Sequence, residues 1–167
     1  MMKLGELTGQ ELKWIQPRAF KLEYELHSRS NVVTTLRYPR FFDTFAIASS
    51  GDETWTFRGG DFRQPTVSIR ALEAETDLAV FKKNMWTGSG TLELLDGRKY
   101  RAIPTVVRGY RTNAYDFKTE MGATLVSYRK IWGPLHMSAD VQIHQQAKDV
   151  VELPWIVMLV WHLALVL

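Results

Sequence analysis

Cysteine is absent from this 167-residue chain. That excludes disulfides, thiol nucleophiles and thiolate metal sites. Proline is sparse, with six residues, and the four histidines show neither H-x-H nor H-x-x-x-H spacing. His27 and His162 stand alone. His136 and His144 share the polar face of one strand but lie roughly 26 Å apart at ~3.3 Å per residue, too far to share an ion. Charge of one sign is also lacking: the formal net charge is only +3. This bias is too small to imply nucleic acid and allows only weak attraction to an anionic surface. No G-x-S-x-G occurs. Gly88-Ser89-Gly90 precedes a strand rather than a helix, so it reads as a turn and not as a nucleophile elbow or phosphate loop. The N-terminus carries no apolar run of signal-peptide length, so the expected location is cytoplasmic, with peripheral membrane contact as a further option.

Long hydrophobic runs are missing as well, with one exception. Residues 153–167 read LPWIVMLVWHLALVL, and His162 is their one obvious polar side chain. Pro154 suits a first helical turn, and Glu152 suits the positive end of a helix dipole. A helix is therefore expected over about 154–166. It is apolar on every face, which marks a central core element or a membrane segment. Fourteen residues at ~1.5 Å rise span roughly 20 Å, short of the ~30 Å of a bilayer core. The core reading is favoured, and it requires a surround.

The rest of the chain supplies one. Residues 20–27 alternate, with Phe20, Leu22, Tyr24 and Leu26 on one face. Ser28-Arg29-Ser30-Asn31, Ser49-Ser50-Gly51-Asp52, Glu73-Ala74-Glu75-Thr76, Asp96-Gly97 and Glu120-Met121-Gly122 are turn signals between apolar runs. Pro104 is expected to end a strand, with Val106-Val107-Arg108 forming another. Leu135, Met137, Ala139, Val141 and Ile143 face one way and their neighbours the other. About twelve short strands over residues 12–144, at a spacing of roughly 8–12 residues, predict an all-β barrel. Closure removes exposed edges. The expectation is one domain, 1–167: a closed, roughly twelve-stranded antiparallel barrel around a buried C-terminal helix.

This pattern, ending in ELPWIVMLVWHLALVL, resembles the tubby C-terminal-like superfamily: tubby domains, plant LURP-one-related proteins and phospholipid scramblases, and most of all small bacterial members. The resemblance implies a twelve-stranded barrel threaded by one hydrophobic helix. It further implies either phosphoinositide binding through basic surface side chains, or a link to lipid movement and calcium. No D-x-D-x-D-G array is present to carry the calcium site.

Among chemical candidates, the carboxylates Glu73, Glu75 and Asp77, and the pair Asp52 and Glu53, sit in solvated turns. His162, inside an apolar helix, needs a hydrogen-bonding partner or a cost in desolvation. It is read as a bonded core histidine, with a pH-sensitive role as the competing reading. Basic residues beside strand ends are the functional lead. Lys82, Lys83, Arg108, Arg111, Arg129 and Lys130, with Lys118 nearby, are the candidates for an anionic-headgroup patch. The competing reading, favoured by the small net charge, is a scattered, solvated surface. No cofactor or metal is expected. The favoured function is a non-enzymatic binding or scaffold domain that meets an anionic membrane surface or phosphoinositide-like headgroup. The alternatives are a protein inserted in membrane through residues 153–167 and an enzyme with a pocket at the barrel mouth.

Overall fold

The computed structural model describes residues 3–40, 44–60, 65–84, 87, 89–107, 110–132 and 137–166. Twelve strands pair in the order of the chain, each antiparallel to the next. They are β1 (Leu12–Ile15), β2 (Glu23–Ser28), β3 (Asn31–Arg37), β4 (Ala46–Ser50), β5 (Glu53–Gly59) and β6 (Thr66–Ala71). Then follow β7 (Ala79–Lys83), β8 (Gly90–Leu94), β9 (Lys99–Val107), β10 (Tyr110–Thr119), β11 (Thr124–Trp132) and β12 (Met137–Ile143). β1 closes onto β12 through Leu12↔Val141, Lys13↔Asp140 and Trp14↔Ala139, so the ring has no free edge. The expected closed barrel is what the chain forms.

α1 (Leu153–Val166) runs through its middle. From Trp155 to Ala164 no side chain is more than 5% exposed. Each strand turns its apolar set toward the helix, as period-2 alternation requires. Leu36, Phe57, Ile69, Phe81, Leu92, Phe117 and Ile143 are fully or almost fully buried. The small Ala46 and Ala48 line β4, one of the strands nearest the helix. Trp161 stacks on Trp14 at 5.8 Å between ring centroids, and Tyr24 and Tyr128 stand nearly perpendicular to it. Gly90 opens β8 where a Cβ would overlap the Phe81 ring.

Because successive strands alternate direction, the barrel has two distinct ends. Even-numbered strands finish at the end where α1 enters, here the entry end. Odd-numbered strands finish at the other, the exit end. Arg98 in the β8–β9 turn pairs with Glu152 at the helix start. At the far end, the Lys130 ammonium on β11 donates to the Ala164 carbonyl at 3.4 Å, a favourable place for a cation beside the negative end of the helix dipole.

Several local expectations change. Phe20 is 82% exposed, with φ at +67°, and β2 begins only at Glu23. Its apolar spacing continues the strand pattern, but its backbone is left-handed. β9 runs straight through Pro104 to Val107, so residues 106–107 extend it rather than start a new strand. The β8 ladder ends at Gly90↔Ala102. At Pro104 the strand therefore has only β10 beside it, where a missing N–H is tolerated. The unremarkable first residues form a 3-10 turn, Leu4–Leu7, whose two leucines are buried. Leu135 and His136 lie outside the described residues, and β12 starts at Met137.

Candidate functional site

His162 is the deepest polar group. Its Nε2 donates to the Gly59 carbonyl at 3.0 Å, and the Tyr38 hydroxyl lies 2.6 Å from Nδ1. A carbonyl only accepts, so Nε2 carries the proton, and Nδ1 accepts from Tyr38. Both nitrogens are satisfied in the neutral ring. Burial lowers the imidazole pKa to about 4, and the Gly59 bond offsets this only in part. Burial also raises the Tyr38 phenol well above its ordinary value. This is the bonded core histidine.

The other described histidines are engaged on the outer wall. His27 Nε2 meets Glu25 at 2.7 Å, and His144 Nε2 meets Ser127 Oγ at 2.8 Å. Ser127 Oγ also donates to Asp116 at 2.7 Å. These three residue types suggest a catalytic triad, but the order is wrong. The hydroxyl has one proton and gives it to the carboxylate, so His144 serves as donor rather than base. Ser127 also lies mid-strand, paired with both Asp116 and Gln142, where backbone N–H groups belong to the ladder and not to an oxyanion hole. The cluster ties β10 and β11 to the residue that follows β12.

An open groove of about 900 Å³ runs along the outer wall beside this brace, over β10, β11, β12, β1 and β2. It is on the wall, not at the barrel mouth where an enzyme pocket was anticipated. Its charges oppose one another across the strands: Lys13 faces Asp140, and Asp140 faces Arg129. Such a surface compensates itself and selects no sign of charge.

Of the predicted basic residues, the four whose side chains are described, Lys82, Lys83, Arg129 and Lys130, do not form one patch. Lys82 is exposed on β7, while Lys83, the next residue, faces the other way and is half-buried. Arg129 is outward on β11, four strands from β7, or roughly 19 Å around the barrel at ~4.8 Å per strand. Lys130 turns inward to the helix end, and burial lowers its pKa. Arg111 belongs to β10. Arg108 lies outside the described residues.

Strand register brings a different set together. Thr66 opposes Lys82, Lys82 opposes Thr91, and Thr91 opposes Arg101. Arg101 in turn opposes Lys118, and Lys118 opposes Thr124. Directly opposed residues share a face. The outer wall therefore carries one row in which Lys82, Arg101 and Lys118 are accompanied by three threonines and no carboxylate. Among the described residues, none of these cations makes an ion pair. Lys82 and Arg101 are two strands apart, roughly 10 Å, and Arg101 and Lys118 are adjacent, about 5 Å. In water two like charges repel by only about 0.4 kcal/mol at ~10 Å and about 0.8 kcal/mol at ~5 Å, so the row persists without counter-charges. Arg101 drew no attention in the sequence, because its value comes from its neighbours across strands.

A solved structure of a protein from Arabidopsis thaliana is similar over 93% of this chain and 91% of its own, with a TM-score of 0.55 and 12% identity. At that identity the likeness shows the fold alone: an antiparallel barrel with one enclosed helix. No family model and no curated protein matches the chain. No described helix is long and apolar enough to cross a membrane, and α1 is enclosed by strands rather than offered to lipid.

Proposed function

We propose that this barrel is a non-enzymatic binding domain whose outer wall docks phosphate-bearing anionic headgroups on the row Thr66–Lys82–Thr91–Arg101–Lys118–Thr124. The observation that carries this reading is the register that aligns three unpaired cations with interleaved hydroxyls and no acid. Hydroxyls donate to phosphate oxygens, and ammonium and guanidinium groups supply charge-assisted bonds that a neutral surface lacks. The resemblance to tubby-like barrels points to the same class of ligand. The row replaces the patch expected from sequence while keeping Lys82 and the nearby Lys118.

Sedimentation with vesicles tests it. Neutral phosphatidylcholine vesicles should leave the protein in the supernatant, and vesicles containing a phosphoinositide should pellet it in a salt-sensitive way. The triple variant K82Q/R101Q/K118Q should lose most of that binding, and soluble inositol phosphate should compete. Binding that survives the triple variant, or that is equal on neutral vesicles, would defeat the proposal.

A further inference from the structure

The entry end carries the opposite chemistry. Six large apolar side chains are exposed among the described residues: Phe20, Val32, Leu72, Leu95, Met121 and Val151. Scattered singly they would mean nothing. Five of the six, all but Phe20, lie at the entry end: Val32 near the start of β3, the others on turns between even and odd strands or on the turn into α1. Four lie on neighbouring turns of this rim, spread over roughly 20 Å at ~4.8 Å per strand. The β6–β7, β8–β9 and β10–β11 turns follow one another around the rim and carry Leu72, Leu95 and Met121. The Leu95 N–H bonds the Leu78 carbonyl, joining the first two turns. Arg98 and Glu152 join the helix-entry turn, which bears Val151, to the β8–β9 turn. Met121 is 95% exposed and Val151 87%, so neither packs against its own chain.

These tips are interleaved with acid. Glu73, Glu75, Glu120 and Asp149 flank them and make no ion pair among the described residues. The nearby cations are largely spent: Arg98 is held by Asp96 and Glu152, Arg70 by Asp77, and Lys99 opposes Glu93. Lys148 remains. A rim of spaced apolar tips interleaved with unpaired carboxylates repels anionic lipid and nucleic acid and attracts basic protein.

We propose that the entry end is a docking surface for a basic amphipathic segment of a partner protein. Aliphatic side chains of the segment cover Leu72, Leu95, Met121 and Val151, and its lysines or arginines meet Glu73, Glu75, Glu120 and Asp149. This surface stands at the helix-entry end and does not depend on the cationic row.

The test uses the full chain and a fluorescein-labelled helical peptide with leucine on one face and lysine on the other, read by anisotropy. A peptide of the same composition with its order scrambled serves as the control. The ordered peptide should bind saturably and at least about tenfold more tightly than the scrambled one, a difference of about 1.4 kcal/mol. Binding should weaken by a similar factor in L72S/L95S/M121S/V151S and in E73K/E75K/E120K, and should be unchanged in E23Q/D140N. These positions are on the surface, and matching thermal melts will verify the fold of each variant. If one variant fails to fold, the other still tests the proposal through the ordered-to-scrambled ratio. Equal loss in E23Q/D140N would reduce the effect to general electrostatic attraction and overturn the proposal. So would indifference to the serine variant. Self-association in sedimentation equilibrium that vanishes in E73K/E75K/E120K would assign the surface to a second copy of the chain instead.

Discussion

Lowering the pH from 7 to 4 should cost the fold roughly 3 kcal/mol through His162 alone. The unfolded imidazole titrates near its ordinary value of 6.5, while in the barrel its pKa is lowered to about 4. Between those values the unfolded chain binds a proton that the folded chain refuses, so stability falls as the pH falls. Above about pH 6.5 the contribution is fully present, and below about pH 4 the loss is complete. The cause is geometric: Nδ1, the only site for the new proton, already accepts from Tyr38 inside an apolar core. Urea denaturation of wild type and His162→Gln at a series of pH values isolates the term. The glutamine amide retains a donor for the Gly59 carbonyl but does not titrate, and carboxylate effects common to both proteins cancel. The stability difference, wild type minus variant, should drop by roughly 3 kcal/mol between pH 7 and 4. A difference flat to about 0.5 kcal/mol over that range would refute the assigned bonding and burial.

Two further outcomes follow from the core. Deleting residues 154–167 removes Trp155 through Trp161 and Leu163 from the interior. At ~1.5–3 kcal/mol per side chain this exceeds the roughly 5–15 kcal/mol of a typical domain, so the truncated chain should show no cooperative melt by circular dichroism, and a sharp transition would show that the strands close unaided. Gly90→Ala drives a methyl into the buried Phe81 ring and should lower stability by ~1–3 kcal/mol in denaturant titration, whereas wild-type stability would mean that β7 and β8 shift apart freely.

Much of the architecture is written in local pattern. The alternation from Met137 to Ile143, the Asp96-Gly97 turn and the apolar run after Glu152 each depend on a few neighbouring residues, and each element forms where those residues point. What depends on distant partners is not legible. Phe20 fits the period of β2, yet the chain has turned away. Pro104 reads as a stop, yet β8 has ended beside it and the strand continues. Lys82 and Lys83 look equivalent until the pleat sends them to opposite sides. The row that joins Lys82 to Arg101 and Lys118 exists only after β7, β8, β9 and β10 choose their register. A slip of one residue would turn those side chains to the other face. The neighbouring placement of Leu72, Leu95, Met121 and Val151 likewise needs the turns to be ordered around a rim.

The enclosed helix also sets an order on synthesis. All twelve strands leave the ribosome before the residues that fill the space between them. Until α1 follows, the inner faces bearing Trp14, Tyr24, Phe57 and Phe81 have nothing to cover. The first strand must also wait for the twelfth, so closure joins segments more than a hundred residues apart, a slow and aggregation-prone step. Until the helix emerges, the nascent strands should therefore present apolar surface of the kind that aggregates. A ribosome stalled before Leu153 would present a sticky, open sheet.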